Sequence, residues 1–422
     1  MRPRTRVLLL AALFAVLQLA NVTGRATPDT KNYIAYALSL RGEDKRSAAT
    51  ATIDYFCAGK ASMALRKQNV DVVRFHRPDP GPRVRSECEA RQWGRVEPRL
   101  AAGQTGGHTV PFMPERFMRI FEARPGYPVV LVPFVTLFGV TWGIWAASVV
   151  IAAAGGVLAF LVLRTLSVPV PLALTGQALF YVLPCGTTAM RPMTEGLMMA
   201  LTLAALWGCA LVLRGRRTVA GPALVGGALA ALFTVKHSQA LFLGVCLAAA
   251  GVLLAVRRWR RGRAPGRGVA AIAGVGCCAA LGTVLMARVL GYPSASESLQ
   301  DLLTGHFARP DRADPWPEFL RLQGNFWVEW LRRQMREPLF VAFLAAGAWG
   351  ARRRPAFGGF LVAAAFTGIL TQAGHPDVNI WGERLIVMVW LLPVLGVPQL
   401  LEPVVRGRVV PPAREPAVGL AR

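Results

Sequence analysis

The sequence predicts an all-α polytopic membrane protein with about ten transmembrane helices and a long first exported loop. The chain has 422 residues, of which 54% are hydrophobic and only 17% are charged. A soluble domain of this length usually carries more charge. Long apolar runs recur from residue 128 onwards, and their length suits helices that cross a bilayer. They lack the alternation of apolar and polar residues that is typical of a membrane β-barrel.

The formal net charge is +25, and its distribution argues against a nucleic-acid partner. The arginine clusters lie between apolar runs, as the positive-inside rule expects of cytoplasmic segments. They occur at residues 2–6, 214–217, 257–267, 352–354 and 406–408. We therefore expect a plasma-membrane protein whose N-terminus and C-terminus are both cytoplasmic. Contact of these clusters with anionic lipid headgroups is a secondary interpretation.

The first apolar run, from Val7 to Thr23, predicts a helix that leads out of the cytoplasm. A cleaved signal peptide is the alternative, although VTGRAT lacks an A-x-A site and so favours a retained helix. Further helices are predicted near residues 142–163, 168–186, 195–213, 219–235, 239–256, 268–290, 337–350, 356–373 and 384–402. The apolar stretch 127–139 is too close to the next helix to cross separately, so we interpret it as a juxtamembrane or re-entrant segment.

These crossings organise residues 1–402 as a single membrane domain, followed by a cytoplasmic tail at residues 403–422. Two large exported loops result, one at residues 24–127 and one at residues 291–336. The second loop contains DPWPEFLRLQGNFWVEWLRRQ, whose apolar residues group on one side and predict an interfacial helix. Its tryptophans either anchor that helix at the membrane interface or line a groove for a lipid chain.

Two cysteines, Cys57 and Cys88, lie in the first exported loop, and neither large exported loop contains another cysteine. Outside the cytoplasm such a pair favours a disulfide bond that closes a loop of some thirty residues. Two free thiols are the alternative.

Asp29 follows almost directly on the first apolar run. Thr27 can cap a helix that has Pro28 at its first position, which places Asp29 in the first turn. The helix dipole favours a carboxylate there, so an ordinary first-turn aspartate is one interpretation. The other is a catalytic acid, because such a helix would lie along the outer membrane surface with Asp29 facing the headgroup zone.

Polar residues in the short exported segments are further candidates. In FEARPGYP (121–128), the prolines and glycine predict an extended approach to the bilayer. Arg124 there either binds a phosphate through paired N–H donors or extends its charge to the interface. Arg191 and Glu195 flank the turn TTAMRPMTEG, and Glu195 begins a helix. Lys236 and His237 form the polar link between two apolar helices, a placement that is more often functional than incidental.

The last exported turn reads GHPDVNIWGER (374–384). His375 and Asp377 could contribute to a metal site, but spacing supplies no remaining ligands. Arg384, at the start of the last helix, is the better candidate for a phosphate contact. The sequence contains no P-loop, G-x-S-x-G or H-E-x-x-H motif. Any chemistry must therefore use the exported loops and a substrate that arrives in the membrane.

With these residues in view, the chain resembles the C-class membrane glycosyltransferases, which include protein O-mannosyltransferases and the aminoarabinose transferase of lipid A. The family pattern D-x-x-x-Y-x-x-x-A-x-x-L is matched by Asp29, Tyr33, Ala37 and Leu40. Later matches follow in order at RPGYP (124–128), Thr194–Glu195, Lys236 and RLIVMVWLLP (384–393). Two departures are that Thr30 stands where many relatives have a second acid, and that a fuller K-P-P-L-Y is reduced to RPGYP.

The resemblance implies transfer of a sugar from a polyprenyl-phosphate carrier, itself a membrane lipid, to an acceptor on the exported face. Asp29 would act as general base, and a divalent metal could assist, as in some relatives. Sugar, acceptor and polyprenol stay open. The residues expected to bind substrate are Tyr33, Arg124, Tyr127, Arg191, Glu195, Lys236, His237 and Arg384. The alternatives are a carrier or flippase for a lipid-linked or anionic solute, and a non-catalytic scaffold that binds partners through its first loop.

Overall fold

The computed structural model describes residues 2–215, 219–264, 266–377 and 384–407, and every regular element in these ranges is helical. The helices are α1 (Pro3–Gln18), α2 (Thr30–Leu40), α3 (Lys45–Asn69), α4 (Gly81–Ala101), α5 (Glu115–Glu122), α6 (Gly126–Thr165), α7 (Val170–Val182), α8 (Pro184–Ala189), α9 (Thr194–Leu213), α10 (Ala220–Arg260), α11 (Arg267–Val289), α12 (Ala295–Thr304), α13 (Pro315–Arg336), α14 (Pro338–Ala351), α15 (Pro355–Gly374) and α16 (Leu391–Gly407).

Seven helical stretches in the described ranges are long and apolar enough to cross a membrane. They are Pro3–Asn21, which is α1 with its final 3-10 turn, and Gly126–Thr165, Thr194–Leu213, Ala220–Arg260, Arg267–Val289, Pro355–Gly374 and Val387–Arg406. Two shorter apolar helices, Val170–Val182 and Pro338–Ala351, accompany them. The chain is therefore an all-α protein of the kind that resides in membranes, because helices satisfy their own backbone hydrogen bonds in lipid.

Two of the long helices are interrupted by single non-helical residues. In α6 the interruption is Gly139, whose φ of 70° is readily adopted only by glycine. In α10 it is Lys236, which has an extended backbone (φ −163°, ψ 96°). The range α10 therefore consists of two helices that meet at Lys236, within the predicted polar link at residues 236–238.

The predicted extended approach through FEARPGYP was wrong, because helix α6 begins within this segment at Gly126. Pro125 precedes the first helical residue, where its missing N–H leaves no helical hydrogen bond unmade. A Cβ atom at Gly126 would collide with Thr234 on α10. The glycine therefore brings the start of α6 against α10, two residues before Lys236.

Helix α2 is buried within the protein, beneath other parts of the first loop. Every residue from 30 to 38 is buried, and the helix packs against α3, α5 and α6. Its apolar side chains join a core formed by the first loop and the beginning of α6. A second core lies among α1, α6, α7, α9, α10, α14, α15 and α16.

Helices α3 and α4 form a hairpin in the first loop, and a disulfide bond joins Cys57 on α3 to Cys88 on α4. The connection closes a loop across a sequence separation of 31 residues. In the second loop, α12 is followed by the long helix α13. Of the α13 side chains only Phe326 and Gln334 are fully buried, while Trp316, Leu320 and Met335 are exposed, as an interfacial helix would require.

Replacing Cys57 and Cys88 together by alanine should loosen the hairpin. A closed loop of this length restricts the unfolded hairpin enough to contribute roughly 3–4 kcal/mol. We expect amide hydrogen exchange in α3 and α4 to accelerate at least about 50-fold, with little change in α9. The double variant Cys277→Ala/Cys278→Ala, which removes two exposed free thiols, is the matched control. Unchanged exchange in α3 and α4 would show that packing alone holds the hairpin.

Candidate functional site

The starts of α2 and α9 lie beside Arg384, in the segment before the last helix. Three charged side chains converge there. Arg384 forms an ion pair with the carboxylate of Asp29. Its Nε atom also donates to Glu195 Oε1 at 3.4 Å. The hydroxyl of Thr30 donates to the carbonyl of Pro192 at 3.0 Å, which fixes the start of α2 beside the start of α9. One guanidinium thus bridges two carboxylates from distant parts of the sequence.

This bridge is largely but not fully closed to solvent. The exposed fraction of the side chain is 19% for Asp29 and 17% for Arg384, but only 3% for Glu195. Burial by itself lowers the pKa of Arg384, yet the neighbouring carboxylates of Asp29 and Glu195 raise it above its ordinary value. Arg384 therefore stays cationic, and Asp29 is the carboxylate that a ligand can reach.

Tyr33 and Arg124 extend the cluster along α2. The Nη1 atom of Arg124 donates to the Tyr33 hydroxyl at 3.3 Å, and the Tyr33 ring packs edge-on against Tyr127 at 5.4 Å. Burial raises the pKa of Tyr33 despite the opposing charge of Arg124, so its hydroxyl is neutral. The Nε atom of Arg124 is buried without a hydrogen-bond partner among the described residues, which leaves a donor for a ligand.

Lys236 faces the same cluster from α10. Its side chain is buried, and its electrostatic neighbours are Glu195, Arg124, Arg384 and Asp29. The extended backbone at this residue breaks the helix where the charge is placed. A buried lysine at a break between two apolar helices is more often functional than incidental.

His237 lies next to Lys236 but does not join the ion pairs. Its ring lies 5.4 Å from the ring of Tyr292, with the two planes tilted, and its Nδ1 atom is buried without a hydrogen-bond partner among the residues described. The structure thus brings His237 to the rim of the cluster rather than its centre.

Counted over the residues that the structure describes, which do not include Glu383 beside Arg384, the cluster carries an excess of positive charge. Its cations are Arg124, Lys236 and Arg384, and its carboxylates are Asp29 and Glu195, so its formal charge is +1. A buried surplus cation is costly unless an anion compensates it. The donor set of two guanidinium groups and one ammonium group suits a phosphate oxygen.

Arg191 was also expected to bind substrate. It lines a cavity of about 540 Å³ together with Asn21, Arg25, Pro28 and Thr187. Pro28 immediately precedes Asp29, so this cavity adjoins the cluster. Arg25 on its wall has a pKa that is lowered by burial and by the nearby charge of Arg66.

The candidate metal ligands His375 and Asp377 lie at the end of α15. The electrostatic neighbours of His375 are Asp301, Asp377, Arg384 and Lys236, and its burial lowers its pKa. Within residues 2–215, 219–264, 266–377 and 384–407, no group of three or more His, Cys, Asp or Glu side chains is placed to hold a metal ion. The rest of the predicted turn, residues 378–383, lies outside the described residues.

A second polar pair, which the sequence did not predict, lies near the cluster. Asp301 on α12 contacts His306 Nδ1 at 3.1 Å. This hydrogen bond raises the pKa of His306, and Asp29 contributes to its electrostatic surroundings. The signal that could have located α12 is the capping box formed by Ser294 and Glu297, which marks a helix start in sequence.

No protein-family model, curated protein or solved structure matches this chain.

Proposed function

We propose that this protein is an integral membrane glycosyltransferase that moves a sugar from a polyprenyl-phosphate donor to an acceptor on the exported face of the plasma membrane. The observation that carries the proposal is the convergence of Asp29 with Arg124, Lys236 and Arg384 in one partly open cluster with a surplus positive charge. Such a cluster supplies both requirements of the reaction, a base for the acceptor hydroxyl and cations for the leaving phosphate.

The proposed topology has about ten crossings with both termini in the cytoplasm. It counts α10 as two crossings that meet at Lys236 and includes the shorter helices α7 and α14. The arginine-rich segments at residues 257–267 and 352–354 then face the cytoplasm, as the positive-inside rule favours. The cluster lies at the opposite, exported ends of the helices, where a lipid-linked donor in the outer leaflet can reach it.

The donor phosphate would enter by competing for Arg384. In the structure Arg384 is shared by Asp29 and Glu195, so the guanidinium engages the carboxylate of Asp29. A phosphate that takes over the guanidinium would release Asp29 toward the acceptor. The more deeply buried Glu195 would retain its contact with Arg384 and hold the guanidinium in place. Donor binding would thus activate the base.

The chemical step is an inverting substitution at the anomeric carbon. The acceptor oxygen forms a bond to that carbon as the bond from carbon to phosphate oxygen breaks, and the bonding electron pair leaves with the lipid phosphate. The acceptor proton passes to Asp29. Arg124, Lys236 and Arg384 stabilise the charge that develops on the phosphate, which departs without a general acid because a phosphate is already a weak base.

The proposal predicts that Lys236 is needed to hold the donor phosphate. Substitution by methionine keeps a flexible side chain of similar volume but removes the charge. We expect the affinity of the purified protein for sugar-free polyprenyl phosphate, measured by native mass spectrometry, to fall at least about 10-fold, since a charged hydrogen bond contributes about 1.5–3 kcal/mol. Lys60→Met on α3 is the matched control and should bind normally. Equal affinity of Lys236→Met and the control would remove Lys236 from the site.

A further inference from the structure

The connection between α3 and α4 displays an unusual set of apolar side chains. We call residues 70–77 the hairpin tip. The exposed fraction is 81% for Val70, 87% for Val72, 63% for Val73 and 61% for Phe75. The tip alternates these with basic residues, Arg74 and Arg77. Single exposed apolar residues are normal, but a contiguous set usually marks an interaction surface.

The tip has a defined conformation rather than a loosely extended one. The carboxylate of Asp71 accepts hydrogen bonds from the backbone N–H groups of Val73 and Arg74 at 2.9 and 3.0 Å. The side-chain amide of Gln68 donates to the carbonyls of Arg77 and Pro78 at 2.8 and 3.1 Å. These bonds join the two sides of the connection. The outward direction of the apolar side chains is therefore built into the fold.

The base of the tip is attached to the end of the first membrane helix. Arg66, on the last turn of α3, donates to the Asn21 side chain at 2.6 Å and to the Thr23 carbonyl at 3.3 Å. One turn earlier, Met63 packs so closely on Gly24 that a Cβ atom there would collide with it. The carboxyl end of α3 thus lies against the residues that directly follow Pro3–Asn21.

This attachment places the tip at the membrane interface. The stretch Pro3–Asn21 contains 19 residues, which span about 28 Å as a helix and match the hydrocarbon thickness of a bilayer. Asn21 consequently lies near one boundary of that layer. The tip begins at Val70, four residues and about 6 Å of helix beyond Arg66, so it can reach the same boundary.

We propose that the hairpin tip is a membrane anchor that inserts Val72, Val73 and Phe75 into the leaflet on the side of the first loop. Arg74 and Arg77 would contact lipid phosphates at the surface. Apolar residues flanked by cations are the composition that interfacial segments use. A protein partner would explain the apolar residues equally well, but nothing about such a partner would require the tip to be fixed beside Asn21. The inference is independent of the proposed catalytic activity.

Photo-crosslinking of the full chain in lipid nanodiscs tests this anchor. A benzophenone amino acid is introduced at Val72, and adducts are identified by mass spectrometry in bilayers of phosphatidylcholine with or without 30% phosphatidylglycerol. The matched control carries the same probe at Thr50, an exposed residue of α3 that lies 16 residues before Arg66, about 24 Å along the helix. We expect at least about fivefold more lipid adducts at position 72 than at position 50.

The contribution of the two arginines to membrane binding is tested by combining Arg74→Gln and Arg77→Gln with the photo-crosslinking probe at position 72. We expect lipid adducts to decrease about threefold in the anionic bilayer and to change little in the neutral one. Equal lipid labelling at positions 72 and 50 would overturn the proposal, as would adducts formed only with protein. If lipid labelling at position 72 is unchanged by the two arginine substitutions, the anchor consists of its apolar residues alone, and the proposed phosphate contacts are contradicted.

Discussion

Replacing Asp29 by asparagine should reduce the rate of sugar transfer by about 10²- to 10⁴-fold, the range that a positioned general base contributes. Asparagine keeps an oxygen that can accept from Arg384, so the bridge between the starts of α2 and α9 should survive. It cannot take the proton of an acceptor hydroxyl at neutral pH. After a donor substrate has been identified, the rate is measured as the release of polyprenyl phosphate by the purified protein.

The matched control for this substitution is Asp54→Asn. Asp54 lies on α3, on the surface of the hairpin, where its carboxylate is more than half exposed and pairs with Arg85. We expect this variant to retain full activity. Both variants should show the thermal transition of the original protein. Near-normal transfer by Asp29→Asn would exclude Asp29 as the base.

Replacing Arg384 by glutamine should destabilise the folded protein by about 3–5 kcal/mol, the cost of leaving a buried charge without its partner. Glu195 would bear most of this cost, because its side chain is only 3% exposed. Unfolding is measured by denaturant titration in mixed micelles. As a comparison, Arg46→Gln breaks an exposed pair with Glu97 and should cost less than about 1 kcal/mol.

A double-mutant cycle separates this effect from a general packing defect. Adding Glu195→Gln to Arg384→Gln removes the unpaired carboxylate, so we expect the double variant to recover more than half of the lost stability. Residues in direct contact show such coupling, whereas independent sites simply add. Additive losses in the two single variants would mean that the pair does not interact in the folded protein.

The helices could largely be predicted from the sequence because burial in lipid or in a helical core demands long apolar runs. The runs near residues 195–213 and 268–290 correspond closely to α9 and α11. The start of α6 was harder to predict, since prolines and a glycine normally interrupt a helix. At Gly126 the missing side chain instead allows close contact with α10, which only the folded structure reveals.

The members of the site could be predicted individually, but their pairing could not. Asp29 and Arg384, both partly buried, are 355 residues apart, and no local period connects them. The bridging role of Arg384 depends on how α2, α9 and the segment before α16 meet. The burial of α2 could not be predicted from the sequence either. The helices that cover it are polar on their outer faces, so their sequence resembles that of a solvated loop.

The role of the hairpin tip could not be predicted from its residues at all. Its residues, VDVVRFHR, are short and mixed in character, so they predict neither a crossing nor a core element. Their proposed role is inferred from the position of the end of α3, which lies beside Asn21. Position relative to the bilayer, rather than composition, distinguishes a surface loop from an anchor.

The most direct test of the central claim is conversion of a polyprenyl-phosphate sugar to polyprenyl phosphate by the purified full chain in nanodiscs. A panel of donors that differ in sugar and in prenyl length is incubated with the protein and with Asp29→Asn, and the lipid products are measured by mass spectrometry. The account predicts that the protein consumes at least one donor and that the variant does not. Failure of the folded protein to consume any donor, or equal consumption by the variant, would contradict it.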